Sequence, residues 1–149
     1  MNKKRQIRSQ KVKESFIRVT KQIISEDGVE NVSVRKVADM ADYSYATVYN
    51  YFPDVNGLLE EVRLEMIRDV MSYMGGSFSS GDYDAEDVKR LFREYTAYYI
   101  KHPHIFRFFY AYRPGLQENV PEYPFDFGSL WHETFQGFVQ KGVLRRCRP

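Results

Sequence analysis

Cysteine is nearly absent from this 149-residue chain: Cys147 is the single one, so no second cysteine can pair with it. The sequence therefore predicts neither a disulfide framework nor a zinc site. Long apolar runs are missing as well, because the longest one, residues 105–112, is interrupted by Arg107 and is far shorter than the roughly 20 residues that span a bilayer. The charged N-terminus lacks the apolar segment and cleavage site of a secretory signal. We therefore expect a cytoplasmic protein without a membrane partner.

Catalytic motifs are also lacking. The sequence holds no glycine-rich phosphate loop, no nucleophile elbow and no paired-carboxylate pattern. His102 and His104 flank Pro103 and His132 is distant, which is a weak pattern for a metal site because the proline suggests the start of a helix. We predict no catalytic residue, no metal site and no cofactor, and a small helical enzyme is the least favoured hypothesis.

What the chain does contain is a globular composition with an uneven charge. Apolar residues make up 43% and charged residues 28% of the sequence, which suffices for the core of one domain of ordinary size. The net charge is +2, yet residues 1–22 hold eight basic side chains against Glu14 alone, a local charge of +7 that leaves −5 for the rest. Such a basic segment either binds a polyanion or is a solvated terminus.

Apolar residues recur at steps of three and four along most of the chain, and no segment alternates as a half-buried strand does, so we predict an all-α fold. Residues 12–24 form the first helix, which ends near Gly28. The side chains predicted to cap the later helices are Ser33, Ser44, Asp54 and Asp84. Residues 75–81, rich in glycine and serine, predict a looser junction. We divide the chain into residues 1–53 and residues 54–149.

Helical spacing also predicts which faces of the second half are buried. On the fourth helix the inward residues are expected to be Val55, Leu59, Val62, Met66, Val70 and Tyr73. On the fifth they are expected to be Val88, Leu91, Phe92, Tyr95 and Tyr99. Pro103 suits the first turn of a sixth helix. A final helix is expected to carry Phe127, Leu130, Trp131, Phe135 and Phe138 and to end at Gly142.

Residues 33–52 have the layout of a helix-turn-helix. Ala38 and Ala41 are small enough to let the second helix cross close to the first. The core between the two helices is predicted to hold Val37, Val48 and Phe52. The side chains left on the outer side or at the ends of the second helix are Tyr45, Ala46, Thr47, Tyr49, Asn50 and Tyr51. Hydroxyls can bind phosphates, and Asn50 and Ala46 can contact base edges in a major groove. The alternative is a helical hairpin in a bundle whose surface is covered by tyrosines.

The segment over roughly residues 10–60 resembles the DNA-binding domain of the tetracycline-repressor (TetR) family of transcriptional regulators. The residues whose joint spacing carries the resemblance are Gly28, Val37, Ala38, Ser44, Thr47, Tyr49, Phe52 and Pro53. The resemblance implies a ligand-responsive repressor that binds a palindromic operator in double-stranded DNA as a homodimer. It also implies that helices after the DNA-binding domain form the ligand pocket and the dimer interface. By position, the DNA-binding residues that it implies are Lys3, Lys4, Arg5, Arg35, Ser44, Tyr45, Ala46, Thr47, Tyr49, Asn50 and Tyr51.

The second half of the chain is unusually aromatic, with 15 of the rings falling between Phe92 and Phe138. Rings at helical spacing are either plain core or the lining of a site for a small apolar or aromatic effector. The resemblance favours the second interpretation. The residues that we expect to line such a site are Tyr95, Tyr99, Phe109, Trp131 and Phe135.

Three features depart from the family pattern. Asp42 stands where a turn glycine is usual, and Val55 stands where a phosphate-binding lysine is common. Asp tolerates a left-handed conformation better than most residues, so we expect the turn to form. The sequence stops shortly after Arg145, where members usually continue into two helices that build the dimer, so the usual dimer interface is expected to be absent. The rival hypothesis is a shortened member that acts as a protein-interaction or ligand-binding module without repressing on its own.

Overall fold

A computed structural model describes residues 3–74, 84–112 and 136–142 of the chain. Its helices are α1 (Lys3–Asp27), α2 (Val34–Met40), α3 (Tyr45–Tyr49), α4 (Val55–Tyr73), α5 (Ala85–Lys101) and α6 (Pro103–Tyr110), with a 3-10 turn at Val29–Asn31 after α1. Residues 136–140 are helical too, and no strand occurs in these ranges. The all-α prediction is therefore confirmed. The predicted junction at 75–81 and the start of the final helix lie outside the described residues.

The predicted caps explain where four helices begin. Ser33 accepts a hydrogen bond from the Lys36 amide at the start of α2, and Ser44 does the same for the Thr47 amide at the start of α3. Asp54 caps α4, and Asp84 caps α5 in a reciprocal capping box with Asp87. All four predictions are confirmed. Because a capping side chain satisfies an otherwise unpaired amide, each is expected to stabilise its helix by about 1 kcal/mol.

The first three helices pack around one aromatic ring. Phe16 is fully buried in the middle of α1, and its ring lies 5.2 Å from that of Tyr43, 5.8 Å from that of Tyr51 and 6.4 Å from that of Phe52. These partners come from the turn before α3 and from the segment after it. Phe16 therefore fixes where α1 crosses the other two helices.

Two ion pairs join α1 to α4. The Nζ atom of Lys13 lies 2.7 Å from Oε1 of Glu61, and Lys21 pairs with Asp69. The second pair lies eight residues after the first on α1 and also on α4. The two helices therefore run in the same direction and in register. Buried apolar side chains of α4, Leu58, Val62 and Met66, belong to the same core as Phe16. The α4 helix is thus attached to α1 along much of its length.

The α6 helix packs against the far end of α1. Ile105 and Phe108 are buried there, and Arg107 Nη2 lies 2.6 Å from Glu30 Oε1 in the turn after α1. Gly28 has a φ of 93°, and a Cβ atom at this position would lie only 3.1 Å from His104 Nδ1. Glycine is therefore required both by the backbone conformation and by the close approach of α6.

Four details differ from the sequence-based expectations. The α1 helix begins at Lys3, well before residue 12, and α3 ends at Tyr49, before Phe52. Tyr73, expected on the inner face of α4, is 55% exposed, and Phe92, expected on the inner face of α5, is 42% exposed. Met74, one residue after Tyr73, is buried at the end of α4, and Tyr98, which was not expected on the inner face of α5, is buried beside Tyr99. No described helix is long and apolar enough to span a bilayer.

Candidate nucleic-acid interface

The turn between α2 and α3 is built on one left-handed residue. Asp42 has a φ of 59°, and the amide of the next residue, Tyr43, donates to the carbonyl oxygen of Ala38 at 3.0 Å. Ala38 and Ala41 are both buried where the two helices meet. The expectation that aspartate would support this turn is confirmed, and the small residues at the crossing explain how α3 comes close to α2.

Two hydroxyl groups lie together at the start of α3. The Oγ atom of Ser44 is 2.9 Å from Oγ1 of Thr47, and it also accepts the Thr47 amide. Ser44 is exposed and Thr47 is half-buried. Their mutual hydrogen bond fixes both side chains and uses the hydrogen of one hydroxyl, so the other hydroxyl keeps its hydrogen for an outside acceptor such as a phosphate.

The outer side of α3 presents two tyrosine rings to solvent. Tyr45 is 60% exposed and Tyr49 is 50% exposed, and the two rings meet edge to face with their centroids 6.4 Å apart. Ala46 and Asn50 are exposed beside them. Val48 is the one buried residue of α3, since its side chain joins the core with Phe16. We refer to Ser44, Tyr45, Ala46, Thr47, Tyr49 and Asn50 as the reading edge.

The other predicted DNA-binding residues occupy different places. Tyr51 is half-buried, because its ring packs on Phe16, so it is not part of the reading edge. Arg35 is exposed on α2. The exposed residues expected to form a basic arm, Lys3, Lys4 and Arg5, are the first turn of α1.

Met40 and Tyr43, which flank the turn, are also exposed large side chains that sequence reasoning did not select. The sequence could have indicated their exposure, because neither belongs to the small residues expected where α2 faces α3. Both lie within four residues of Ser44 in the sequence.

A second cluster lies where α5 meets α6. The Tyr95 and Tyr99 rings are 4.9 Å apart, and that of Phe109 lies 6.4 Å from Tyr99. The hydroxyl groups of Tyr95 and Tyr110 are hydrogen-bonded to each other. Burial raises the pKa of Tyr95 and of Tyr99 above the ordinary value of a phenol. Three of the five residues expected to line an effector site are thus brought together, and Trp131 and Phe135 lie outside the described residues.

The α6 helix connects this cluster to α4 and to the turn after α1. Besides the Arg107–Glu30 pair, Arg63 of α4 donates from Nη1 to the carbonyl oxygen of Phe109 at 3.3 Å. The guanidinium of Arg63 also lies over the Phe108 ring, 4.4 Å from its centroid. Both α4 and the turn after α1 therefore contact the helix that carries Phe109.

Comparison with known proteins supports the interpretation of residues 33–52 as a helix-turn-helix of a transcriptional regulator. Residues 16–62 match the family model described as bacterial regulatory proteins, tetR family. No curated protein matches the sequence.

Solved structures share the fold along most of the chain. A TetR-family transcriptional regulator from Haemophilus influenzae RD is 18% identical, with 92% of this chain and 75% of that chain covered and a TM-score of 0.60. A TetR family transcription regulator from Marinobacter aquaeolei VT8 is 19% identical, with coverage of 95% and 90% and a TM-score of 0.54. A putative tetR family transcription regulator from Shewanella sp. PV-4 is 18% identical, with 87% of this chain and 65% of that chain covered and a TM-score of 0.54.

Proposed function

We propose that the protein is a cytoplasmic repressor of transcription. The proposal starts from the match of residues 16–62 to the model of the tetR family of bacterial regulatory proteins, which assigns the chain to that family. The protein binds a palindromic operator as a homodimer and releases it when a small apolar or aromatic effector binds. The observation that carries the proposal is the reading edge, because two large tyrosine side chains stay exposed on a helix whose opposite side is anchored in the core.

The reading edge has suitable chemistry for a major groove. The hydroxyls of Ser44 and Thr47 can bind a phosphate, and the rings of Tyr45 and Tyr49 can contact thymine methyl groups or donate to phosphates. Asn50 has an amide that can pair with an adenine edge. In a helix-turn-helix protein these contacts come from the second helix, which is α3 here.

A homodimer follows from the amount of recognition that one edge can provide. The α3 helix has five residues, so it reaches only a few base pairs, and each base contact contributes about 1 to 3 kcal/mol. Two copies related by a two-fold axis double that number and read half-sites about one helical turn apart. The palindromic operator is the consequence of this symmetry.

Effector response is supported by the position of α6. An effector that contacts Tyr95, Tyr99 and Phe109 pushes on a helix that Arg107 joins to the turn after α1 and Arg63 joins to α4. Binding that favours one arrangement of α6 over another then shifts the arrangement of the two reading edges. No catalytic chemistry is required for this response.

The decisive experiment is selection of duplexes from a randomised pool by the full chain. We expect enrichment of a sequence with two-fold symmetry, and sedimentation of the complex should show two chains per duplex. Failure of the wild-type chain to bind or enrich any duplex would contradict the proposal. If a single half-site were enriched and one chain were bound to it, the proposed DNA binding would stand and the proposed homodimer would be wrong.

A variant pair then assigns the contact to the reading edge. Tyr49→Ala is expected to weaken binding to the selected duplex by about 5-fold to 150-fold for each bound chain, since it removes one contact of about 1 to 3 kcal/mol from each. Tyr73→Ala is the matched control, because Tyr73 is similarly exposed but lies at the end of α4. Equal affinities for the Tyr49→Ala and Tyr73→Ala proteins would remove Tyr49 from the interface.

A further inference from the structure

The α3 helix lies in a stretch of the chain without charged side chains. Residues 43–53 contain no lysine, arginine, aspartate or glutamate. The charged residues that flank this stretch, Asp42 and Asp54, form the turn before α3 and cap α4. Any base that α3 contacts is therefore contacted by neutral side chains.

Four of these neutral side chains share one side of α3. Tyr45 and Tyr49 are four residues apart, and Ala46 lies three residues before Tyr49 and four before Asn50, so the four form one continuous patch on the helix surface. All four are exposed, whereas Val48 is buried in the core. We call Tyr45, Ala46, Tyr49 and Asn50 the neutral face. It consists of apolar ring and methyl surface beside a single amide group.

The two rings of the neutral face hold each other in place. Tyr45 and Tyr49 meet edge to face, with their centroids 6.4 Å apart. Two rings in contact restrict each other's rotamers, so less side-chain entropy is lost when a partner group packs against them. The pair therefore offers a preorganised apolar surface to whatever α3 contacts.

The chemistry of the neutral face fits one class of base pair. In the major groove, arginine and lysine bind guanine and carboxylates accept from cytosine, whereas apolar groups contact the 5-methyl group of thymine and asparagine binds adenine. The neutral face has no side chain of the first two kinds and has both of the last two. Arg35 is exposed but belongs to α2, and Lys36 beside it is paired with Asp27 at 2.7 Å. The α3 helix therefore carries the side chains for an A·T pair and lacks those for a G·C pair.

We propose that the neutral face selects A·T base pairs and identifies thymine by its 5-methyl group. This inference rests on the proposed function and names the class of base pair that α3 binds. The methyl group packs against the rings of Tyr45 and Tyr49, and the amide of Asn50 pairs with adenine. A cytosine in the place of thymine is disfavoured because it lacks the methyl group, and 5-methylcytosine regains part of the affinity.

The expected effect of one methyl group follows from the apolar surface that it buries. Burial of one such carbon contributes about 0.8 kcal/mol, which corresponds to about a fourfold change in affinity. In a homodimer on a palindromic duplex the loss occurs in both half-sites. Removal of one thymine methyl group from each half-site therefore lowers affinity by about 16-fold.

The test uses the full wild-type chain and a duplex that it selects from a randomised pool. Each thymine of a half-site is replaced in turn by uracil, which keeps the base pair and removes only the methyl group, and the same change is made in the other half-site. A second series replaces the thymine that shows the largest loss by cytosine or by 5-methylcytosine, each paired with guanine. Affinities are measured by fluorescence anisotropy at one salt concentration.

Protein variants show whether the rings detect the methyl group. Tyr45→Ala and Tyr49→Ala each remove a ring, whereas Tyr45→Phe and Tyr49→Phe keep the ring and remove only the hydroxyl group. Tyr73→Ala is the control, because Tyr73 is exposed at the end of α4. Thermal melting checks that every variant folds.

We expect at least one thymine in each half-site at which uracil lowers wild-type affinity by about fourfold for each bound chain. At that position 5-methylcytosine should bind more tightly than cytosine. The loss caused by uracil should persist in the two Phe variants and in the Tyr73→Ala protein, and it should disappear in at least one of the two Ala variants.

Unchanged wild-type affinity for every uracil duplex overturns the inference, and so does a uracil effect that persists in both Ala variants. A cytosine duplex that binds as tightly as its 5-methylcytosine counterpart overturns it as well. Each of these results is obtained with a wild type that binds its selected duplex, so each leaves the proposed function standing. If the wild type enriches and binds no duplex, the proposed function fails and the inference fails with it.

Discussion

Two pairs of tyrosines in this chain have the same spacing and opposite surroundings. Tyr45 and Tyr49 are four residues apart on α3, and Tyr95 and Tyr99 are four residues apart on α5. Both pairs meet edge to face, with centroids 6.4 Å apart in the first and 4.9 Å apart in the second. The first pair is open to solvent, whereas α6 packs over the second.

The difference shows that residue type and helical spacing do not decide what an aromatic pair does. On α3 only Val48 is buried in the core, so the rings of Tyr45 and Tyr49 contact each other and remain open to solvent. On α5 the rings pack against Phe109 and Tyr110 of the next helix. The expected consequence is that changes to the first pair alter binding, while changes to the second alter stability.

The largest effect should come from Tyr99→Ala. Tyr99 is buried against three rings of α6, so truncation should lower the free energy of unfolding by about 3 kcal/mol, as for other large-to-small changes at aromatic core positions. Urea denaturation measures this change. Tyr45→Ala is the comparison, expected to stay within about 0.5 kcal/mol of the wild type. Similar losses for both variants would break the distinction between the two pairs.

A smaller effect is expected when only a hydroxyl is removed. Tyr95→Phe deletes the hydrogen bond to Tyr110 and should lower the free energy of unfolding by about 1 kcal/mol. Tyr49→Phe should leave stability unchanged, because no described residue hydrogen-bonds its hydroxyl. Denaturation curves of the two variants under the same conditions compare them directly. A stability loss that is greater for Tyr49→Phe than for Tyr95→Phe would contradict the comparison.

The smallest expected effect on stability at neutral pH is that of the ionisation of Tyr95 and Tyr99. Burial raises the pKa of Tyr95 and Tyr99, so both phenols stay neutral in the folded protein beyond the pH at which they ionise in the unfolded chain. Stability from this source is complete below a pH of about 10 and falls as the pH rises above it. Phenolate absorbance should show part of the tyrosines ionising only when the protein unfolds. Complete ionisation at the ordinary phenol pKa with the fold intact would refute this expectation.

Local features of the fold were predictable from the sequence because their causes are local. Ser33 and Ser44 cap helices through amides three residues away, and Asp42 makes its turn within four residues. Exposure of Tyr45 and Tyr49 followed in the same way, since α3 needs only Val48 to anchor it.

Features that depend on distant partners were not predictable. At the end of α4 a step of three from Val70 gives Tyr73 and a step of four gives Met74, and only the packing of the other helices decides that Met74 is buried. Tyr51 was placed with the reading edge because nothing in its own segment shows that Phe16 packs against it. The register of Lys13 with Glu61 is likewise a property of two separate helices.

The matched ion pairs between α1 and α4 make a lever of these two helices. If α4 slid along α1 by one helical turn, both ion pairs would break at once. The motion left to α4 is therefore rotation together with α1 and the two helices packed on it, α2 and α3. A rigid rod of 19 residues is about 28 Å long, and tilting it by about 10° moves one end by about 5 Å relative to the other. In the proposed homodimer, Ångström-scale adjustments beside α6 would thus be amplified into a change of spacing between the two reading edges.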